Sequence, residues 1–399
     1  MSKRTIRDLN LEGKKILVRV DFNVPLTADG AVADDRRIRA ALPTLHYILD
    51  HHAAIIIMTH LGRPTGDSEK DRNLKLDHIA ERLRKLLPGV PVKKCDEVVG
   101  SMAQAMSERL QANEILVLEN LRFNKGEKQG DEKFALDLRG LADFYVNDAF
   151  GTCHRKDASM YAVALAFPSE KRAIGFLVEK EIAVLDKLLK NPERPAIAIL
   201  GGAKISDKLG LIGSLLARFD RVLVGGALAY TCLKAKEISI GSSPVDDQLL
   251  PEIKLLLKGA QGKLELPVDN IVENLTDPTS KSKVVEGTIP NGWAGMDIGP
   301  RTIEVFCKAL STAGTIVWNG PLGKFEEERF KKGTFEIAQH VAASRAITVV
   351  GGGETSEALE LFGLANKITH ISTGGGAFLE YLEKGTLPAL SVIDEGGRP

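Results

Sequence analysis

Two stretches near the end of the chain, ITVVGGGETS (347–356) and ITHISTGGGA (368–377), decide how this sequence folds. Each places three successive glycines after a run rich in β-branched residues, and a segment with helical spacing follows. Three glycines in a row are conformationally costly, so each triplet indicates a special requirement of the backbone. A strand, a glycine-rich turn and a helix in succession are typical of a parallel α/β unit.

Strand and helix patterns of this kind alternate along the whole chain. Helical spacing is clear in LDHIAERLRKLL (76–87) and EIAVLDKLLK (181–190). Because the strand runs are apolar throughout, we predict an α/β protein with doubly wound, Rossmann-like parallel sheets that helices cover on both faces. The other predicted strands, with the residues that follow them, are KKILVRVDFN (14–23), AAIIIMTHLGRP (53–64), EILVLENLRF (114–123), ADFYVNDAFG (142–151), AIAILGGAK (196–204), RVLVGGALA (221–229) and TIVWNGP (315–321).

Length and composition restrict the possible functions. The 399 residues suffice for two domains. The 53 Lys and Arg residues balance the 53 Asp and Glu residues, so no general affinity for nucleic acid or for anionic membranes is expected. The four cysteines are widely spaced and have no zinc-binding pattern, which indicates reduced thiols. Since no signal-peptide pattern and no membrane-spanning run is present, we expect a cytoplasmic protein.

A helical segment flanked by prolines separates two halves of different character. It lies within 167–195, and we expect a first domain over 1–170, a connecting helix over 171–190 and a second domain over 191–386. Strands of the first half end in Arg, His, Asp and Asn, whereas those of the second half end in glycine. Parallel sheets bind ligands at these strand ends. The charged stretches 126–133 and 326–332 are interpreted as solvated surface.

Glycine-rich strand ends in the second half suggest a site for phosphate groups. Glycine lets a ligand approach the backbone, and the start of the following helix offers free N–H groups and a positive dipole end. Tight turns alone are the alternative explanation. In LGGAKISDK (200–208), Lys204 and Lys208 are expected to share one face at a helix start, as anion ligands or as solvated side chains. Glu354 can cap its helix or bind a metal ion.

Arginine-rich strand ends in the first half suggest a site for a small, multiply charged anion. Alternation places Arg19, Asp21 and Asn23 on one strand face before Pro25. Neighbouring strand ends would converge on the same crevice, where guanidinium groups bind phosphate or carboxylate in bidentate fashion. The further candidates are His60, Arg63, Arg122, Asp148, His154 and Arg155 at strand ends and Arg37 at a helix start.

Several common nucleotide-binding patterns are missing from the sequence. There is no GxxxxGK(S/T) run, which excludes a P-loop, and no GxGxxG with an acidic residue about 20 positions later. HRD and DFG motifs of protein kinases are also missing. Two other classes stay open as alternatives: a non-catalytic two-domain protein that closes on one anion, and a nicotinamide-dependent oxidoreductase.

Taken together, the motifs resemble the phosphoglycerate kinase family over the whole chain. RVDFNVP, THLGRP, ENLRF, GTCHR, LGGAK, VWNGP, GGGET and STGGGA occur in the order and spacing of that family. The resemblance implies two doubly wound domains joined by a helix and a hinge, with the tail 387–399 packed on the first domain. It also implies a monomer that binds small molecules, with neither nucleic acid nor membrane as a partner.

The resemblance implies a reaction and assigns residues to it. The reaction is reversible transfer of the ATP γ-phosphoryl group to the carboxylate of 3-phosphoglycerate, with Mg²⁺ accompanying ATP or ADP and no tightly bound cofactor. The family commonly has Asp at the position of Glu354, so it stays open whether Glu354 contacts the magnesium ion directly.

Catalytic roles are implied for Arg37, Lys204, Gly353 and Gly375. A 3-phosphoglycerate site is implied at Asp21, Phe22, Asn23, Arg37, His60, Leu61, Gly62, Arg63, Arg122 and Arg155. A nucleotide site is implied at Lys204, Lys208, Gly225, Gly226, Asn319, Glu326, Gly352, Gly353, Glu354 and Thr355.

Overall fold

The computed structural model describes residues 3–67, 69–203, 205–277 and 279–396, and for Asp207 it describes the backbone only. The described chain divides into two compact units. The first contains residues up to 183 and the segment from 386 onward, and the second contains residues 184–385. No helix among the described residues is both long enough and apolar enough to cross a membrane.

The first unit is built on a six-stranded, wholly parallel sheet with the order β3-β4-β2-β1-β5-β6. Its central strands carry Val, Ile and Leu on both faces and are buried except for Lys15 at the start of β1, as expected for a sheet between two layers of helices. The strands are β1 (Lys15–Val20), β2 (Ala54–Met58), β3 (Val92–Lys94), β4 (Ile115–Val117), β5 (Phe144–Asp148) and β6 (Arg172–Ile174). The helices are α1 (Arg36–Asp50), α2 (Asp77–Leu86), α3 (Ser101–Glu108), α4 (Gly126–Gln129), α5 (Glu132–Arg139) and α6 (Val163–Ala166).

Helix α7 (Phe176–Lys190) contains the division between the units, which falls between Ala183 and Val184. The predicted connecting segment 171–190 therefore includes this helix. It also includes β6, which pairs with β5 and completes the sheet of the first unit.

The second unit has its own six-stranded parallel sheet, with the order β15-β14-β13-β7-β8-β9. A three-stranded antiparallel sheet, ordered β11-β10-β12, accompanies it and was not predicted from the sequence. The strands are β7 (Ala196–Leu200), β8 (Arg221–Val224), β9 (Leu264–Glu265), β10 (Asp269–Asn274), β11 (Lys283–Glu286), β12 (Trp293–Ile298), β13 (Thr315–Asn319), β14 (Ile347–Gly351) and β15 (His370–Ile371). The helices are α8 (Leu209–Arg218), α9 (Gly226–Ala235), α10 (Leu250–Gly259), α11 (Pro300–Leu310), α12 (Lys332–Ala343), α13 (Gly353–Leu361) and α14 (Gly375–Lys384).

The end of the described chain packs on the first unit. It forms the short helix α15 (Pro388–Ser391), whose Ala389 N–H donates to the carbonyl of Cys153 at 3.0 Å. Beyond the helix, Arg4 N–H donates to the Asp394 carbonyl at 2.8 Å, and Ile393 is fully buried. The last three residues of the predicted tail, 397–399, lie outside the described residues. Residues near the two ends of the described chain are thus held in the same unit.

Both parallel sheets reverse their strand order at one point, where ligands bind in doubly wound folds. In the first unit the reversal lies between β1 and β5, and in the second it lies between β7 and β13. The predicted fold class, two doubly wound parallel sheets, is confirmed. The two predicted helices at 76–87 and 181–190 correspond to α2 and to the last two thirds of α7.

The prediction that two charged stretches are solvated holds for most of their residues but is wrong for two side chains. Glu127, in the charged stretch 126–133, is only 1% exposed, because its carboxylate accepts hydrogen bonds from Ser159. Phe330, in the stretch 326–332, is also fully buried. Both side chains depend on contacts with residues distant in the sequence, which local charge density does not reveal.

Candidate functional site

The loop after β1 carries the first three predicted site residues. The strand ends at Val20, five residues before Pro25, so Asp21 and Asn23 are loop residues and not part of one strand face with Arg19. Phe22 is fully buried, and its N–H donates to Thr59 Oγ1 at 2.9 Å. Asn23 Oδ1 accepts from the Gly62 N–H at 2.8 Å, which ties this loop to the loop after β2. The end of β1 is thereby fixed to its neighbour.

A carboxylate and a guanidinium group meet above this loop. Arg37, in the first turn of α1, donates from Nη1 to Asp21 Oδ2 at 2.7 Å. The side chain of Asp21 is 9% exposed, while that of Arg37 is 38% exposed. The second oxygen, Oδ1, is buried and has no hydrogen-bond partner among the described residues. An unpartnered buried carboxylate oxygen beside an accessible guanidinium is suited to a ligand that brings its own donor.

His60 lies at the end of β2 among positive charges. Its Nδ1 is 3.2 Å from Nη2 of the buried Arg19 and 3.7 Å from Asp21 Oδ1. Burial lowers the pKa of His60 far below its usual range, and the nearby guanidinium groups of Arg19, Arg122 and Arg155 lower it further. The imidazole is therefore neutral at physiological pH and acts through hydrogen bonds instead of charge.

Arg122 reaches the same crevice from the loop after β4. Asn120 begins a short 3₁₀ turn there, and its Oδ1 accepts from the Arg122 N–H at 3.1 Å. The guanidinium of Arg122 donates to the Gly62 carbonyl, whereas its Nε is buried without a partner in the described part of the chain. Burial and the charge of Arg155 both lower the pKa of Arg122. A guanidinium with an unused donor marks the wall of an anion site.

Arg155, Leu61 and Arg63 complete the predicted set. Arg155 follows β5, its Nε donates to His154 Nε2 at 3.4 Å, and its Nη1 lies 3.9 Å from Asp157. Leu61 is buried, and its N–H donates to Asn120 Oδ1 at 3.2 Å. Arg63 lies in the same loop as Gly62 but is exposed. Burial, contacts and mutual electrostatic effects thus group Asp21, Arg37, His60, Arg122 and Arg155, and Arg63 lies on the outer side.

Two residues depart from the sequence analysis. Asp148, expected in the crevice, is fully buried and accepts from the Leu177 N–H at 2.9 Å, so it stabilises the start of α7. Asn120 was missed, although its amide also donates to the Leu61 carbonyl at 2.8 Å and joins two loops of the crevice. Its position two residues after the apolar run 115–118 was the available signal.

Glycines join the ends of β7 and β13 in the second unit. Gly201 N–H donates to the Asn319 carbonyl at 2.9 Å, and Gly202 N–H donates to the Pro321 carbonyl at 2.8 Å. A Cβ atom on Gly201 would lie 2.0 Å from the Pro321 carbonyl oxygen. The close approach of two strand ends therefore requires glycine at position 201.

Lys208 points back into this glycine cluster. It ends a short 3₁₀ helix, Ser206–Lys208, directly before α8, and its Nζ donates to the Gly201 carbonyl. A Cβ on Gly320 would lie 2.8 Å from Nζ, so the glycine leaves room for the ammonium group. Lys204, the other predicted cation, lies outside the described residues.

The predicted glycine pair after β8 borders the same cluster. Gly225 N–H donates to the Leu200 carbonyl at 2.8 Å, and Gly226 N–H donates to the Leu322 carbonyl at 3.0 Å. Gly226 is the first residue of α9, and a Cβ there would lie 2.8 Å from the Gly202 backbone nitrogen. Three strand ends thus meet through backbone atoms alone.

The first glycine triplet turns the chain from β14 into α13. Gly352 precedes the helix with φ of +104°, a conformation that side chains disfavour. Asn319 Nδ2 donates to the Gly351 carbonyl at 2.7 Å, and Thr355 Oγ1 accepts from the Gly320 N–H at 2.7 Å. These two predicted residues therefore hold the triplet against β13.

The second triplet lies beside the first. Gly375 is the first residue of α14, and a Cβ there would lie 3.5 Å from Gly352 Cα and 3.9 Å from the Gly353 nitrogen. Gly353 has nothing within 4 Å of its Cβ position, which leaves open space above the start of α13. Two helix starts therefore lie side by side, as an anion site of backbone N–H groups requires.

The acidic candidates of the second unit are exposed. Glu354 is the second residue of α13, and Glu326 lies in the loop after β13. In the described part of the chain, no group of three or more His, Cys, Asp or Glu side chains could hold a metal ion. The single carboxylate of Glu354 at a phosphate-type helix start fits Mg²⁺, which commonly binds one or two carboxylates together with substrate phosphates.

Comparison with known proteins identifies the family. The family model described as phosphoglycerate kinase matches residues 6–385. Among similar proteins, the phosphoglycerate kinase of Rubrobacter xylanophilus is 49% identical over 396 residues, which cover 99% of both chains. That of Finegoldia magna is 46% identical over 401 residues, 99% of this chain and all of the relative.

Solved structures agree with this assignment. The phosphoglycerate kinase of Coxiella burnetii is 37% identical and superposes with a TM-score of 0.86, with 98% of each chain covered. The phosphoglycerate kinase of Pyrococcus horikoshii is 32% identical, with a TM-score of 0.82 and the same coverage. Since the family match spans both units and the relatives match over their full lengths, this chain belongs to the phosphoglycerate kinase family.

Proposed function

We propose that this chain catalyses the reversible transfer of the ATP γ-phosphoryl group to the carboxylate of 3-phosphoglycerate, which yields 1,3-bisphosphoglycerate and ADP. The observation that carries this proposal is the family match over residues 6–385, which includes both the arginine-rich and the glycine-rich crevice. The enzyme is a glycolytic phosphotransferase with a carboxyl group as acceptor.

The crevice of the first unit binds 3-phosphoglycerate. Arg37, Arg122 and Arg155 supply guanidinium donors for its phosphate and carboxylate groups, and the unused Nε of Arg122 supports this role. Asp21 Oδ1 accepts from the substrate hydroxyl group, because it is buried and lacks a partner among the described residues. Asn23 offers its amide N–H groups, since its oxygen already accepts from Gly62. Arg63, at the exposed edge, attracts the anion. Phe22, His60, Leu61 and Gly62 form the remaining surface.

The crevice of the second unit binds the nucleotide phosphates. Lys208 lies against the glycine cluster at the strand-order reversal, and the glycines at 225 and 226 let the ligand approach the backbone. Gly352, Gly353 and Gly375 bring two helix starts together for further phosphate contacts. Asn319 and Thr355 fix this arrangement through the Gly351 carbonyl and the Gly320 N–H. Glu326 contacts the nucleoside part of the ligand.

The acceptor carboxylate is already an anionic nucleophile, so no general base is needed. Catalysis then depends on alignment and on neutralising the charge that spreads over the transferred phosphoryl group. Arg37 and Lys204 supply positive charge, and the N–H groups of Gly353 and Gly375 supply fixed dipoles. Preorganised donors of this kind typically contribute about 10²-fold to 10³-fold each.

Magnesium accompanies the nucleotide, and Glu354 would hold it. When bound, the ion supplies charge neutralisation between the phosphate groups. Since Glu354 is exposed at the start of α13, its carboxylate would be accessible to an Mg²⁺ ion that accompanies nucleotide phosphates at this helix start. The longer side chain of Glu permits a contact either directly or through water.

Direct transfer requires the two reactants to meet, so closure about the α7 segment is part of the proposal. Scattering in solution should show a smaller radius of gyration with 3-phosphoglycerate and a nucleotide analogue together than with either alone. No compaction with both ligands would contradict closure.

We also propose that the enzyme is a monomer, because residues of one chain form each proposed site. Light scattering measures its mass in solution. We further propose that it acts in the cytoplasm.

A coupled assay of phosphoryl transfer tests the function most simply. ATP and 3-phosphoglycerate are expected to produce ADP only when both are present with Mg²⁺. Glycerate, which lacks the phosphate group, is the matched control and should not serve as acceptor. ADP formation that is independent of 3-phosphoglycerate would contradict the proposal. Titration with MgADP separates the enzyme from a simple anion-binding protein, which would not bind the nucleotide.

A further inference from the structure

A buried charged network lies beneath the crevice of the first unit. Arg19 is completely buried on β1, and Glu127, in α4, is 1% exposed. Burial of either charge alone costs several kcal/mol, so such groups need partners. Neither side chain is used by the proposed phosphoryl transfer, which leaves their burial unexplained by substrate binding.

Ser159 links the two charges. Its hydroxyl accepts from Arg19 Nε at 2.9 Å and donates to Glu127 Oε1 at 2.6 Å, while its N–H donates to Glu127 Oε2 at 3.0 Å. Ser159 lies in a π-helical turn, Ala158–Ala162, and its carbonyl accepts from the Tyr145 hydroxyl at 3.1 Å. Turns of this type are frequent at functional sites. Ser159 thus holds Nε of the Arg19 guanidinium, while Nη1 donates to the Val20 carbonyl.

The geometry also determines the tautomer of His60. Arg19 Nη2 lies 3.2 Å from His60 Nδ1. A guanidinium group can only donate, so Nδ1 must be the acceptor in this hydrogen bond. The ring proton of the neutral imidazole is then on Nε2.

We propose that Arg19 is a positioning residue, held by Glu127 through the Ser159 hydroxyl, which fixes the His60 proton on Nε2 so that His60 donates a hydrogen bond to 3-phosphoglycerate. The last step rests on the proposed function, whereas the tautomer does not. Arg19 contacts no ligand in this scheme and differs from Arg37 in that respect.

The charges around His60 support a fixed, neutral ring. The groups that face it are Arg19 on β1, Asp21 after β1, Arg37 on α1, Arg122 after β4 and Arg155 after β5. Burial and the four arginines keep its pKa far below the usual range, so the ring does not titrate near neutrality. Burial raises the pKa of Glu127, and the nearby charge of Arg19 opposes this effect.

Nitrogen-15 NMR of the unliganded full chain tests the tautomer directly. Long-range proton–nitrogen spectra distinguish protonated from unprotonated ring nitrogens, and the His60 signals are those lost in His60→Gln. We expect an unprotonated Nδ1, a protonated Nε2 and no change between about pH 5.5 and about pH 8. A ring protonated on Nδ1, or one that titrates near its ordinary pKa of about 6.5, overturns the proposal.

Three variants distinguish an effect of this network on His60 from a general loss of stability. Ser159→Ala removes the hydroxyl that accepts from Arg19 Nε, and Glu127→Gln places an amide N–H₂ group opposite one of the two Ser159 donors, so His60 should then show a mixture of tautomers. Asp269→Asn is the matched control, because Asp269 is an equally buried acid in the second unit that accepts from the Thr302 N–H and hydroxyl instead. It should leave the His60 signals unchanged. Wild-type signals in both network variants would overturn the role of Glu127 and Ser159.

Kinetics test the substrate contact. A Gln amide can place an N–H near the position of Nε2, whereas an Asn amide reaches the position of Nδ1. His60→Asn should raise the KM for 3-phosphoglycerate about 10-fold, as expected for one lost hydrogen bond to an anion, and leave the KM for MgATP unchanged. His60→Gln should raise the KM for 3-phosphoglycerate less than His60→Asn does. A larger rise in His60→Gln than in His60→Asn would overturn the proposed contact. If the wild-type enzyme transfers no phosphoryl group while the NMR result holds, the proposed function fails and the tautomer stands.

Discussion

The two crevices lie at the same place in similar folds, yet they are built from different parts of the chain. Both lie where the strand order of a parallel sheet reverses. In the first unit side chains form the crevice, as in the ion pair of Arg37 with Asp21 at 2.7 Å. In the second unit backbone atoms form it, as in the contacts of Gly201 and Gly202 with the end of β13.

This difference has a physical consequence for how each site tolerates change. Arginine side chains bind a small anion through its shape and charge, so their removal should affect binding and turnover more than folding. Glycines allow backbone segments to approach closely, so an added methyl group should disturb both the fold and the site. The following predictions test this contrast, from the largest expected effect to the smallest.

Replacing Arg37 should have the largest effect on turnover. Arg37→Ala removes a charge that the proposal places at the transferred phosphoryl group, and kcat should fall by about 10²-fold or more. Arg36→Ala is the matched control, since Arg36 is the neighbouring residue, is exposed and pairs with Asp34. Steady-state kinetics of both variants check this. Near-normal turnover in Arg37→Ala would refute its catalytic role.

An added methyl group at Gly201 should damage the second site. The Cβ of Gly201→Ala would lie 2.0 Å from one backbone carbonyl oxygen and 2.6 Å from another, so the ends of β7 and β13 must separate. We expect a loss of about 1 to 3 kcal/mol of stability and weaker MgADP binding, measured by urea unfolding and calorimetry. Gly213→Ala, on α8 with open space around its Cβ, should be neutral or slightly stabilising. Equal stability of the two variants would argue against the backbone account.

Thr355 tests a single hydrogen bond within the glycine site. Thr355→Val keeps the shape of the side chain but leaves the buried Gly320 N–H without its 2.7 Å partner. Stability should fall by about 1 to 3 kcal/mol, and MgADP affinity should fall while that for 3-phosphoglycerate stays unchanged. Thermal unfolding and separate titrations of both ligands measure this. A change in 3-phosphoglycerate affinity alone would contradict the division of roles.

A buried acid in the first unit should make stability depend on pH. Burial raises the pKa of Asp148 to about 7, whereas an unfolded Asp titrates near about 3.9. Between these values the folded state binds more protons, so this group makes stability fall as pH rises, by at most about 1.4 kcal/mol per pH unit. Asp148→Asn should remove this slope, as urea unfolding across that pH range will show. An unchanged slope would mean that Asp148 titrates normally.

The second unit contains a comparable acid, which allows the same effect to be measured there. Asp297 is buried, accepts from the Gly333 N–H at 2.6 Å at the start of α12, and has its pKa raised to about 7 by burial. Asp297→Asn should therefore also weaken the fall of stability with rising pH. The two acids show that helix starts are stabilised alike in units whose crevices differ.

The fold and most of the crevice residues were accessible from the sequence because they depend on local patterns. Apolar runs, glycine triplets and helical spacing predicted both parallel sheets, and strand ends must meet at one edge of such a sheet. Asp21 and His60 could thus be grouped from their positions after neighbouring strands. The antiparallel sheet of β10, β11 and β12 escaped prediction, since polar residues interrupt the apolar runs of its strands.

The burial of Glu127 could not be predicted, for a different reason. Its charge-rich neighbours indicate solvent exposure, and only contact with Ser159, distant in the chain, explains its position. Asp148 was misplaced similarly: its strand-end position was correct, but its side chain points toward α7. Which way a strand-end side chain points depends on packing partners that the local sequence does not specify.

Chemical-shift mapping of the backbone amides, with each ligand added separately to the full chain, tests the central contrast most directly. We predict that 3-phosphoglycerate shifts amides near Asp21, His60 and Arg122 in the first unit. MgADP should shift amides of the glycine triplets and of Gly201 and Gly226 in the second unit. If both ligands shifted the same amides of one unit, the account of an arginine site and a separate glycine site would be contradicted.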